Sequence, residues 1–271
     1  MKTNSNYKPI VDWLTVIAIA AIAISLNVSL HEGVHALTCL ATGGELQEYS
    51  ALHVSCVEQT TLDGKIIAGS APFYNLLIGV LLWVIVQKAK NVTSEVWYFL
   101  WLFMLMNLLH GSGYFMFSGI ANVGDIAVVI SGWEPIWLWR VLMTFIGSMM
   151  FMLFVWMALK EFGKMIGGES KEQIKRANKI SIISYGACLM TSALAGIFNP
   201  YGLLSLPVMA GILAVLGGLS PLLWMMQWFQ AKMFKKYDKP PLEIHRNWSW
   251  IASSVVIVFL YTFILGRTLY F

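Results

Sequence analysis

Residues 10–42 read IVDWLTVIAIAAIAISLNVSLHEGVHALTCLAT, a long apolar run that closes on two histidines and a glutamate. As one helix, these roughly 33 residues would measure about 50 Å, more than the ~30 Å hydrocarbon core of a bilayer. The run therefore predicts a membrane crossing, with the polar motif near its far end and Gly43-Gly44 stopping the helix. Three ionisable groups at the end of a hydrophobic helix are costly, which makes them functional candidates.

The rest of the chain repeats the pattern. Of its 271 residues, 58% are hydrophobic and only 12% charged, where soluble domains carry about 25% charged residues. Further apolar runs predict crossings at 66–86, 97–131, 137–159, 180–198, 203–229 and 248–269, with Pro207 and Pro221 kinking the sixth. The third run is too long for one crossing and short for two, and His110-Gly111-Ser112-Gly113 and Gly119 interrupt it. A broken or re-entrant helix is expected there, of the kind tolerated only beside protein or a wet cavity. Between the first two crossings, residues 45–65 mix Glu45, Glu48 and Glu58 with β-formers such as Tyr49, Val54 and Val57, and Leu62-Asp63-Gly64-Lys65 reads as a tight turn. The expected fold is an all-α polytopic membrane protein of about seven transmembrane helices, with a short β-hairpin-like loop near the motif.

Composition also excludes. The net charge of +4 is modest and lies in loops, where it speaks of orientation and anionic headgroups rather than nucleic acid. Cys39, Cys56 and Cys188 are odd in number, which argues against pairing of all three. The first apolar run is too long for a signal-peptide core and continues into the motif, so no cleavable signal is expected. If 97–131 crosses once, all but Lys65, Arg140 and Arg267 of the 18 basic residues share one side, which is then cytoplasmic, and the motif faces the other side. If it crosses twice, the first half inverts and the motif faces the cytoplasm.

Within the motif, His31 and His35 are four residues apart and so share one helix face. Two imidazoles at that spacing suit two corners of a tetrahedral zinc site, and Glu32 stands beside them as a general base for an activated water. For this composition a chance match is expected on the order of 0.003 times. A structural alternative is a pair of helix histidines hydrogen-bonded to their neighbours. A hydrolytic zinc site needs a third protein ligand. Asp125 is the only acidic residue between Trp97 and Gly132 and follows a helix break, so it is the expected ligand; capping of a short helix is its alternative. His110 competes as third ligand, oxyanion-stabilising group or satisfied polar residue. Cys39, one turn beyond His35, reads as a buried cysteine before a thiolate ligand. His53 reads as a solvated loop residue, and His245 as irrelevant.

The order His31-Glu32-Gly33-Val34-His35, Gly43-Gly44, Ala68-Gly69-Ser70-Ala71-Pro72 with Asn75, then Asn107-Leu108-Leu109 with Asp125 downstream, resembles the site-2 protease family of intramembrane zinc peptidases. The resemblance covers roughly residues 10–131. It implies Zn²⁺ held by His31, His35 and Asp125, Glu32 as general base, and Asn107 and Asn75 orienting an unwound substrate backbone. His110 stands where the family has proline, Asp125 follows Asn107 at a longer spacing than in the family, and Ile126 replaces the family's glycine after the aspartate. The family's motif usually lies near the cytoplasmic face.

Residues 1–131 then form a metalloprotease core with the metal motif, hairpin and broken third helix, and residues 132–271 add transmembrane helices to the same integral domain. The expected activity is zinc-dependent hydrolysis of peptide bonds in membrane protein or peptide substrates, with His110 assisting Glu32 and the hairpin offering a strand edge. The rivals are a zinc-dependent lipid hydrolase or amidase, and a non-enzymatic transporter or chaperone with these residues on an ion pathway.

Overall fold

A computed structural model describes residues 9–89, 91–166, 171–230 and 242–271. Residues 1–8, 90, 167–170 and 231–241 lie outside the described residues. Among the described residues, seven helical spans are long and apolar enough to cross a bilayer, and the chain is an all-α polytopic membrane protein with one small sheet.

Helix α1 (Trp13–Ala41) starts where Asp12 Oδ1 accepts the Thr15 amide at 2.9 Å and ends in Thr42 and the left-handed Gly43 (φ 79°). Its middle is packed on all sides, against α2, α3, α6 and α9. Strands β1 (Glu45–Tyr49) and β2 (Val54–Val57) form the expected antiparallel hairpin with one register irregularity between Leu46 and Glu48. Its turn is not at 62–65, however. The Ser50 hydroxyl accepts the amides of Leu52 and His53 at 3.2 and 3.0 Å and closes the hairpin there. Residues 62–65 instead open helix α2 (Thr61–Lys88): Thr60 accepts the Asp63 amide at 3.2 Å and donates to its carboxylate at 2.6 Å. A small-polar cluster serves a turn or an N-cap equally well, and the helix that follows decides between them.

Helix α3 (Ser94–Ala121) corrects a second expectation, because it runs straight through 110–113. Gly111 there is a packing residue: a Cβ would lie 2.7 Å from Leu76 and 3.0 Å from the Pro72 carbonyl of α2. The break comes later, at Asn122 (φ 57°) and Gly124 (φ 88°), and leads into the short α4 (Asp125–Ile130). The 97–131 stretch therefore crosses once and turns back at the hairpin end.

Crossings four and five are α5 (Ile136–Ile166) and α6 (Lys171–Ile197). The sixth is composite: α7 (Leu206–Gly218), α8 (Pro221–Trp224) and a 3-10 turn, Met225–Gln230. Pro221 marks its interruption, whereas Pro207 sits in the first turn of α7, where its missing N–H costs nothing and no kink arises. The seventh is α9 (Trp248–Phe259), continued by a π-helical turn, Leu260–Leu265. The chain then adds β3 (Leu269–Tyr270) to the hairpin in the order β2-β1-β3, a strand the sequence reading did not anticipate.

Candidate metal centre

Two helices bring the candidate ligands together. Helix α1 supplies His31 and His35 one turn apart, and the Asn122–Gly124 break aims Asp125 of α4 at them. Asp125 Oδ2 lies 3.3 Å from His31 Nε2 and 3.4 Å from His35 Nε2, and the three ligand atoms fall within 4.8 Å of one another. His31 is 4% and His35 7% exposed, so water does not screen this meeting.

The partners behind the rings fix their tautomers. His35 Nδ1 donates to the Ile67 carbonyl at 2.7 Å, and His31 Nδ1 faces the amide oxygen of Asn75 at 3.4 Å. With both protons on Nδ1, each Nε2 presents a lone pair towards Asp125. Oδ2 accordingly has no hydrogen bond from either ring. Three electron-rich atoms directed at one point form a group that could hold a metal ion. A tetrahedral site with bonds of about 2.0–2.1 Å has edges of about 3.3–3.4 Å, which matches both observed nitrogen–oxygen separations.

The cluster lies on the wall of a cavity of about 450 Å³. Glu32, 6% exposed, lines the same cavity, as does His110, 5% exposed, whose Nε2 has no hydrogen-bond partner. Gly218 of α7 leaves room for the His110 ring, since a Cβ there would lie 3.0 Å from Cδ2. The facing wall is mostly apolar and includes Ala210, Gly211 and Ala214 of α7. Leu52, Val54 and Cys56 of the hairpin also line it. The hairpin is pinned from several sides: Tyr49 donates to the Ser29 carbonyl at 2.9 Å, Tyr201 to Glu48 at 2.5 Å, and the Ala51 amide to the Leu265 carbonyl at 3.0 Å. Burial, and next the charge of Glu32, raise the Tyr49 phenol, which stays a neutral donor.

Several expectations need correction. Neither Asn75 nor Asn107 lines the cavity. Asn75 stands behind His31, where it orients the ring, and Asn107 donates to the Phe103 carbonyl of its own helix at 2.8 Å. Cys39 is disulfide-bonded to Cys56 and cannot be a thiolate ligand. Cys188 is free and buried. His53 is not a solvated loop residue; it sits between Ser50 Oγ at 2.8 Å and Glu48 Oε2 at 3.2 Å. His245 pairs with Glu243 at 3.4 Å, outside the cavity.

One residue escaped the sequence reading. Tyr114 lines the cavity and stacks on His31, with ring centroids 4.9 Å apart and planes within 7°. It lies four residues after His110 on the same helix, so an unbroken α3 would have pointed to it.

Compared with protein-family models, curated proteins and solved structures, the chain matches none.

Proposed function

We propose that the protein is a membrane-embedded zinc metallopeptidase, similar in its site to the site-2 protease family. The observation that carries this reading is the convergence of His31 Nε2, His35 Nε2 and Asp125 Oδ2 within 4.8 Å, with both nitrogen–oxygen separations at the edge length of a tetrahedral site and the Glu32 carboxylate on the same cavity wall. Zinc suits two imidazoles and a carboxylate, and when bound it supplies Lewis-acid activation of a water and of a carbonyl.

The chain's own residues carry the remaining steps. Glu32 accepts the proton of the attacking water and returns it to the leaving amine. His110 has a free Nε2 on the cavity wall and donates to the oxyanion as it develops. Tyr114 keeps the His31 ring in plane. Asn75 and the Ile67 carbonyl hold the imidazoles in the tautomer that ligates.

A peptide is favoured over a lipid by the hairpin. In the order β2-β1-β3, the outer edge of β2 is unpaired among the described residues, and Val54 and Cys56 of that strand line the cavity. An extended backbone can add to this edge and bring its carbonyl to the metal, a recognition mode that a fatty ester cannot use.

The test is Glu32→Gln, assayed on a pool of transmembrane-segment reporters in proteoliposomes. We expect stoichiometric zinc to remain and cleavage to fall by about 10²–10⁴-fold. Full turnover in this variant refutes the mechanism. A wild-type protein that binds no zinc refutes the metal assignment.

A further inference from the structure

We infer that the cavity opens on the extracytoplasmic side of the membrane, and that the Cys39–Cys56 disulfide is formed in that compartment and clamps β2 to the helix that carries His31 and His35. Two independent observations lead there.

The first is topological. Because α3 crosses once, the seven spans alternate, and every second helix end meets at the same face. At one face, Asp12 pairs with Arg246 at 2.7 Å and Val11 bridges to Ile244. At the other lie the hairpin, α4, β3 and the metal ligands. Among the described residues, Lys88, Lys160, Lys175, Arg176, Lys179 and Arg246 lie at or near the helix ends of the first face, and the exceptions are Lys65, Arg140 and Arg267. All three exceptions are at the second face: Lys65 opens α2, Arg140 follows the start of α5, and Arg267 precedes β3. A lysine- and arginine-rich face is retained in the cytoplasm, which sends the cavity to the other side.

The second is chemical. Cys39 is one turn beyond His35 and fully buried, and Cys56 lies on β2 at the cavity. Thiols held in contact in a reducing cytoplasm stay reduced, whereas this pair is bridged at the cavity end of the molecule. The remaining cysteine, Cys188, lies on α6, where Tyr98 of α3 bonds Ser184 one turn away. It has no partner thiol. Gly44 is part of the same device, since a Cβ there would come within 2.9 Å of Cys56 Sγ and 3.0 Å of the Cys39 carbonyl. The bridge ties β2, whose free edge faces the cavity, directly to the helix that carries both histidines.

The two lines agree although neither uses the other. On the peptidase reading, to which this last consequence alone is attached, the substrates are membrane proteins whose scissile segment lies at the outer boundary of the bilayer. This departs from the cytoplasmic position implied by the family resemblance.

The experiment uses the full-length protein in intact cells, probed with a membrane-impermeant maleimide. Reporter thiols are introduced by Ser131→Cys, an exposed position after α4, and by Asn91→Cys, an exposed position between α2 and α3. The expected result is labelling of Ser131→Cys from outside and of Asn91→Cys only after the membrane is opened; the reverse pattern overturns the orientation. In parallel, the wild type is denatured and alkylated with and without prior reduction. One reactive thiol, Cys188, is expected without reduction and three with it. Three without reduction overturns the disulfide. Neither measurement depends on peptidase activity or on bound zinc, so a failure here is distinct from a failure of the proposed function.

Discussion

Helices α3 and α9 are both apolar spans of the same protein, yet they have opposite surroundings. Of the most apolar stretch of α3, 72% is buried, against 17% for that of the α9 span. Helix α3 carries Asn107, His110, Ser112 and Ser118 into the interior, while no residue of α9 is buried. In water the more apolar helix would be the inner one. In lipid the order reverses, since tails solvate Val and Phe as well as protein does, and polar groups need protein partners. Helix α9 lies at the periphery because it has no charged side chain to bury, and α3 is central because its polar residues have nowhere else to go.

The contrast can be broken from the inside first. Asp125→Ala removes the carboxylate from the tetrahedral cluster and is expected to abolish stoichiometric zinc and all activity, checked by metal analysis of the purified protein. His110→Ala should keep the metal and lose turnover by about 10²–10³-fold. If His110→Ala loses zinc and Asp125→Ala does not, the third ligand has been misassigned. Asn75→Ala releases the Nδ1 side of His31 and should weaken zinc by about 10–100-fold with the fold intact, measured by chelator competition. Unchanged affinity would show that the Ile67 carbonyl behind His35 suffices.

Packing comes next. Where α2 and α3 touch, a Cβ at Gly79 would lie 2.6 Å from the Leu108 side chain and 3.0 Å from its backbone nitrogen. Gly79→Val should therefore destabilise the protein by about 1–3 kcal/mol in a reversible unfolding assay. The smallest effect belongs to the lipid-facing side. Val255 on α9 is 66% exposed, and Val255→Ala should change stability by no more than about 0.5 kcal/mol. A loss as large as that of Gly79→Val would mean that α9 packs against a further protein surface.

Local signals were legible wherever one stretch of chain carries the whole message. The number of crossings, the two histidines on one face, Glu32 beside them and the existence of a hairpin all follow from spacing and apolar runs. Signals were misread where one residue type serves two local structures. Thr60 to Lys65 holds the elements of both a turn and an N-cap, and the cap wins because the helix behind it is long. Gly111 looked like a breaker and is a contact, since the close approach of α2 is invisible from α3 alone. Asn75 looked like a substrate ligand because an asparagine near a metal motif fits either role, and only its position behind His31 separates them.

The sequence by itself determined the environment and the motif: a chain too apolar for water, and a His-Glu-x-x-His turn at the end of its first crossing. Covalent spacing on a helix is enough for that, because the periodicity of 3.6 residues per turn puts His31 and His35 on one face in any fold. The tertiary structure alone decided what completes the site. Asp125 lies 90 residues beyond His35 and reaches it through two backbone positions of positive φ. Cys56 reaches Cys39 across the hairpin, and β3 arrives from the other end of the chain. Each is a long-range closure, whose entropy is repaid only once the helices have packed. Helical spacing therefore supplies His31-Glu32-x-x-His35, and packing supplies Asp125 as the third member of the cluster, the cavity and the strand beside it.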